Sequence, residues 1–336
     1  MNVTTAYDHI RRRLRMLVPS MSYADQAFDT WQKEARKKVW NLLGLDRMEK
    51  TDLRVKVEYD RLCEEYREIR FLFQSEEGYV VPCHLLLPLG AKKPPIVIGL
   101  QGHLPGMHIA LGRAADAEEA AIIDAFRADF CLQAVKEGYA AVAMEQRNFG
   151  ECDGRSNAEN EPTCYSQSMT ALLMGRTTIG ERVWDVMRLI DVLEQHFSSY
   201  VDLDKICCTG LSGGGTATIY AAALEDRIKV AVPVCAMASF AGSIGAMNHC
   251  VCNYVPHIAE FFDMSDLMAM AYPKYYVQVS GNEDPIFPYE TAVTMFEQGK
   301  RVYGDRCTLV TGHGEHRCFP EETWPVVRKY LNREDG

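Results

Sequence analysis

The sequence lacks long apolar runs and the common metal and leader signatures. No stretch of about 18 uninterrupted apolar residues occurs among the 336 residues, so we expect no transmembrane helix. The segment from Met1 to Ile10 has no apolar region typical of a signal peptide. The twelve cysteines include no CxxC pair and no Cys/His spacing typical of zinc sites. These absences favour free thiols in a reducing cytoplasm and no bound metal.

Positive charge is also scarce. Lys and Arg number 36 against 46 Asp and Glu, a formal net charge of −10. An acidic protein repels nucleic-acid phosphates and anionic membranes unless its positive charge is localised. Arg11, Arg12, Arg13 and Arg15 do cluster, but no aromatic residues interleave with them. We therefore expect no nucleic-acid or membrane partner, and interpret the cluster as a solvated helix face or a contact in a homo-oligomer.

Hydrophobic periodicity changes twice along the chain. The first fifty residues repeat apolar positions at helical spacing up to Gly44, and residues 53–87 alternate as strands do. From residue 96 onward, short apolar strands alternate with helices, which is typical of a doubly wound, mostly parallel sheet. The sequence predicts an α/β protein with antiparallel N-terminal edge strands. We divide it into a helical extension, 1–50, packed on a single catalytic domain, 51–336.

A candidate nucleophile lies in a glycine-rich turn between a predicted strand and a predicted helix. The motif G-x-S-x-G is matched by Gly210-Leu211-Ser212-Gly213-Gly214. It marks a nucleophilic serine when it follows a strand and opens a helix, as predicted here. Glycines leave room for a sharp turn that exposes Ser212 and directs the amide of Gly213 toward a developing oxyanion. A phosphate loop is excluded, because the lysine of G-x-x-x-x-G-K-[ST] is absent.

A serine nucleophile needs a base and an acid, expected later in the chain. Asp284 follows a predicted strand and is the candidate acid, with Glu283 as the alternative. Two histidines follow the last strand, and we favour His316 over His313 because it lies closer to the final helix. Their H-x-x-H spacing is weak as a metal signal without a further ligand.

The loop after the strand at 96–100 is expected to supply the second oxyanion donor. We assign the backbone amide of His103, with Gln101 as the nearby alternative. Met107 and His108 in the same loop are candidate substrate-binding residues.

Several segments together resemble the α/β-hydrolase superfamily, most closely its branch of acetyl xylan esterases and dienelactone-hydrolase relatives. They are residues 101–106, 210–214, 281–288, 315–319 and the turn at 145–151. The resemblance implies an esterase acting on acetyl or other small acyl groups, often on sugars, with His249 and Pro256 in the pocket. The sequence differs from that branch's usual residues at Gln101, Glu145 and Asn148. These differences bear on the identity of the substrate more than on the type of reaction.

The predicted chemistry is two-step acyl transfer through Ser212, His316 and Asp284, with no metal or organic cofactor. The expected partner is a small ester, such as an acetylated saccharide. A serine peptidase or amidase and a dienelactone-type hydrolase are alternatives on the same fold, although no propeller repeat accompanies the chain. A non-catalytic ligand-binding homologue is a remote alternative, because the three triad residue types occur in order.

Overall fold

The computed structural model describes residues 4–154 and 164–333. Two helices come first, α1 (Ala6–Arg15) and α2 (Phe28–Leu43). The apolar stripe of α2 (Trp31, Ala35, Val39 and Leu43) is buried in the main core, whereas α1 buries no residue. Gly44 ends α2 in the left-handed region, at φ 78°, as the sequence predicts.

Within the described residues, nine strands form one sheet in the order β1-β2-β3-β5-β4-β6-β7-β8-β9. Strands β1 to β3 pair antiparallel at one edge, β3 pairs antiparallel with β5, and the remaining pairs are parallel. The strands are β1 (Lys56–Leu62), β2 (Tyr66–Glu76), β3 (Tyr79–Pro88), β4 (Pro95–Leu100), β5 (Ala140–Met144), β6 (Asp202–Leu211), β7 (Ile228–Val234), β8 (Tyr275–Gly281) and β9 (Cys307–Gly312).

Helices cover both faces of this sheet. In β4, Ile96 and Ile98 face one apolar core and Val97 faces the other, so the strand reads as a continuous apolar run. The helices after α2 are α3 (Ala117–Phe126), α4 (Phe130–Lys136), α5 (Tyr165–Leu173), α6 (Thr178–Val192), α7 (Gly213–Leu224), α8 (Ile258–Phe261), α9 (Met264–Met270), α10 (Tyr289–Gly299) and α11 (Pro320–Leu331).

The predicted fold class is confirmed, with the mostly parallel sheet and the antiparallel N-terminal edge. Helices α5, α8 and α9 were not predicted. Every residue of α9 is buried, so its sequence carries no amphipathic period to reveal it. In the described part of the chain, no helix combines the length and apolarity needed to cross a bilayer.

Candidate active site

The turn between β6 and α7 holds Ser212 in a strained conformation. Its φ of 56° and ψ of −118° lie outside the regions that non-glycine residues ordinarily adopt. A Cβ at Gly210 would lie 2.5 Å from the backbone of Gly214, and one at Gly214 would overlap the carbonyl oxygen of Leu100. The two glycines are therefore required by close backbone approach, and they position the serine at the end of the sheet.

Asp284 and His316 meet at the carboxyl ends of β8 and β9. His316 Nδ1 lies 2.8 Å from Asp284 Oδ2, while Asp284 Oδ1 accepts the amides of Ile286 at 2.8 Å and Phe287 at 2.9 Å. Burial alone would raise the pKa of Asp284. The hydrogen bond and charge of His316 and the two amides outweigh burial and hold that pKa below its usual value.

The two alternatives for these positions lie elsewhere. His313 is exposed, and its Nδ1 lies 3.4 Å from Asn282 Nδ2 rather than beside Asp284. Glu283 is also exposed, although it directly precedes the buried Asp284. Of the two histidines and two acids considered, the structure brings His316 and Asp284 together.

Ser212 and His316 line the same cavity, of about 280 Å³. Among the described residues, the Ser212 hydroxyl makes no hydrogen bond, a common situation in a site without substrate, where such contacts tighten on binding. One part of the cavity wall is apolar and is formed by Leu104, Phe126 and Ile286. Another part is polar and is formed by Asn248, His249, Cys250 and Asn253. The cavity thus offers both a nonpolar and a hydrogen-bonding surface beside the serine.

Two backbone amides beside Ser212 form no hydrogen bond to any described residue, those of Gly213 and His103. Gly213 begins α7, where the helix dipole favours an anion. His103 lies against it, because a Cβ at Gly213 would be 2.9 Å from the His103 ring. The side chain of the alternative donor, Gln101, is committed elsewhere, since its Nε2 donates to buried Glu145.

Glu145 ties the oxyanion loop to the turn after β5. Its carboxylate accepts the amide of Met107 at 3.1 Å, the amide of Glu151 at 3.3 Å and the side chain of Gln101. The residue is only 1% exposed. Burial raises the pKa of Glu145 to about 7, although the amides of Met107 and Glu151 act in the opposite direction.

Glu145→Gln is expected to remove a contribution that lowers the stability of the wild type as pH rises. Between pH 4.5 and 7 the unfolded carboxyl ionises while the folded one keeps its proton, so the contribution of Glu145 to the free energy of unfolding falls as pH rises. The fall is limited to about 3 kcal/mol. The free energy of unfolding is measured by urea at pH 4.5 and at pH 7. The difference between variant and wild type should shift in favour of the variant at the higher pH. A constant packing cost cancels in this comparison.

The matched control is Glu118→Gln, the same change at an exposed position of α3. It should leave the wild-type pH dependence in place. If Glu145→Gln also leaves that dependence unchanged, Glu145 is ionised in the folded state across this range and its three donors outweigh burial.

One of the four predicted substrate-binding residues lines the cavity, namely His249, whose Nε2 lies 3.0 Å from Ser243 Oγ. The other three are not among the residues that line it. Met107 is buried in the core, and its amide serves Glu145. His108 pairs with Glu119 at 3.0 Å, and Pro256 lies exposed outside the cavity. Cys250 and Asn253, from the segment 249–257 that the resemblance places in the pocket, also line it.

A group of possible metal ligands adjoins the cavity, where the sequence predicted none. We call this group the Cys₃His cluster; it consists of His103, Cys164, Cys250 and Cys252. Each residue has a ligand atom within 4.8 Å of those of the others. Three separate loops contribute, so no sequence spacing could indicate the group. A second group contains Cys235 with Asp284 and His316, whose contact belongs to the acid–base pair described above.

The sheet order and the turn that carries the serine are those of the α/β-hydrolase fold, which confirms the predicted fold. The family model described as "Glucuronyl esterase, fungi" matches residues 107–250, less than half of the chain. This region includes Ser212 but neither Asp284 nor His316.

Three relatives illustrate what the chain is similar to. A Bacillus subtilis protein assigned as a hydrolase, YtaP, is 29% identical over 205 residues, covering 58% of this chain and 66% of that protein, just under two thirds of its length. A Bacteroides fragilis structure assigned as an acetyl xylan esterase aligns with a TM-score of 0.71 at 18% identity, covering 93% and 83% of the two chains. A glucuronoyl esterase from Solibacter usitatus aligns with a TM-score of 0.67 at 15% identity, covering 94% and 96%.

Proposed function

We propose that the chain is a serine esterase that hydrolyses carboxylic esters of carbohydrates. The observation that carries this proposal is the strained Ser212 turn opening into the same cavity as His316, which is paired with buried Asp284. The similarity to acetyl xylan and glucuronoyl esterases supports the substrate class.

In the proposed first step, Ser212 Oγ attacks the ester carbonyl while His316 Nε2 accepts its proton. Asp284 Oδ2 accepts a hydrogen bond from His316 Nδ1–H, which holds the imidazole in the tautomer that leaves Nε2 free to accept a proton. The amides of Gly213 and His103 stabilise the oxyanion. His316 then protonates the departing alcohol, leaving an acyl-enzyme.

In the second step, water attacks the acyl-enzyme, with His316 again acting as base, and the free acid leaves. The residues of this mechanism supply nucleophile, base and oxyanion donors without a metal ion or an organic cofactor. We propose acetyl esters of sugars as substrates. Esters of a uronic acid, in which the sugar is the acyl part, form a second candidate class, favoured by the matched family model.

The first test is covalent labelling of the nucleophile. A fluorophosphonate probe should modify Ser212, as located by mass spectrometry of the labelled peptide, and Ser212→Ala should abolish labelling. Acetylated xylose and methyl glucuronate should then be compared by kcat/KM, with an aminoacyl amide as the peptidase alternative.

The matched control is Ser239→Ala, which removes a hydroxyl from another loop at the carboxyl end of the sheet and should leave labelling intact. Turnover retained by Ser212→Ala would contradict the assignment of the nucleophile. A higher kcat/KM for the amide would replace the esterase with a peptidase or amidase.

A further inference from the structure

We propose that the Cys₃His cluster binds one zinc ion. The proposal stands apart from the proposed esterase function, because it rests on ligand geometry and buried charge rather than on the serine. Three thiolates and an imidazole are a common donor set for structural zinc, and soft sulphur ligands disfavour magnesium and calcium.

The ligand atoms are already close to tetrahedral spacing. Zinc–sulphur bonds of about 2.3 Å and zinc–nitrogen bonds of about 2.0 Å give ligand-to-ligand distances of roughly 3.5 to 3.8 Å. His103 Nε2 lies 3.2 Å from Cys252 Sγ and 4.0 Å from Cys164 Sγ, and no ligand pair exceeds 4.8 Å. Small side-chain rotations would therefore close the shell around an ion.

The charge around the cluster is a second, independent observation. Arg182 is fully buried, and no carboxylate of the described residues lies within 4 Å of its guanidinium. Its Nη1 donates to Cys252 Sγ at 3.5 Å and its Nη2 to Cys164 Sγ at 3.6 Å. A buried cation requires a compensating anion. Three thiolates around a divalent ion carry one net negative charge, which Arg182 would neutralise.

The site would connect three segments that surround the cavity. His103 belongs to the oxyanion loop, Cys164 is the N-cap of α5, and Cys250 lines the cavity wall. Four protein ligands leave no open position for water or substrate, so the ion would be structural. It would hold the His103 backbone, and hence its free amide, beside Gly213.

The experiment measures metal in the full chain, purified without chelator and with any affinity tag removed. We expect about one zinc per chain by inductively coupled plasma mass spectrometry. Replacement by Co²⁺ should give the sulphur-to-cobalt charge-transfer band and the intense visible bands of a tetrahedral thiolate site. Chelation should lower Tm, because binding free energy contributes to folding.

Cys250→Ala, at a half-buried position with little packing at risk, should reduce the zinc content well below that of the wild type. Cys131→Ala removes a buried cysteine of α4 outside the cluster and should leave the content unchanged. Ser212→Ala should also keep its zinc, which separates failure of this proposal from failure of the proposed function.

Two results would overturn the proposal. One is a folded chain that contains no zinc, even after growth and refolding with added zinc. The other is a disulfide between two cluster cysteines, detected by peptide mapping without reductant. Wild-type metal content decides the question even if a cysteine variant fails to fold.

Discussion

Replacing His316 by alanine is expected to lower kcat for ester hydrolysis by about ten-thousand-fold or more. The serine hydroxyl is a poor nucleophile without a base, and His316 is the histidine that both lines the cavity and contacts Asp284. Steady-state kinetics on an acetyl ester measures the loss. Because nucleophile and base act as a unit, the Ser212→Ala/His316→Ala double variant should be hardly slower than either single variant.

The matched control is His313→Ala, three residues away on the same loop. His313 is exposed and pairs with Asn282, so its removal should leave kcat unchanged. The reverse pattern, with His313→Ala inactive and His316→Ala active, would contradict the assignment and require this loop to rearrange when substrate binds.

Much of the fold could be predicted because its signals are local. The apolar runs at 96–100 and 140–144 match buried strands β4 and β5, and the stripe ending at Gly44 matches α2. Helix α9 was not predicted, because it is buried on all sides and lacks the polar face by which a helix is recognised in a sequence. Local sequence patterns identify helices with one buried and one exposed face, and strands that end at turn residues. They do not identify a helix that the core encloses on every side.

The same distinction explains the site. Ser212 was identifiable because the sharp turn that strains it brings backbone atoms against Gly210 and Gly214, and a sequence displays these glycines directly. Met107 and His108 do not line the cavity, because the Met107 side chain is buried in the core and the His108 ring pairs with Glu119. Neither contact could be read from the spacing of residues in the sequence. The Cys₃His cluster depends on three loops that only tertiary packing brings together. A site formed by loops that are distant in sequence has no fixed residue spacing, so it cannot be recognised from the sequence.

Asp284 offers a substitution that separates orientation of the base from support of the loop. Its Oδ1 accepts the amides of Ile286 and Phe287, whereas its Oδ2 faces His316 Nδ1. Asparagine keeps an oxygen for the two amides but presents an NH₂ group to the histidine. His316 would then carry its proton on Nε2, the tautomer that cannot accept a proton from Ser212.

Asp284→Asn is therefore expected to lower kcat by about ten-thousand-fold while leaving the fold intact. Fluorophosphonate labelling of Ser212 should slow in parallel, because both reactions need the same base. Asp284→Ala, which removes both sets of hydrogen bonds, should lose comparable activity and also lower Tm, since the amides of Ile286 and Phe287 lose their acceptor. If Asp284→Asn retained near wild-type kcat, orientation of His316 would not depend on this carboxylate, and its role would be confined to holding the loop.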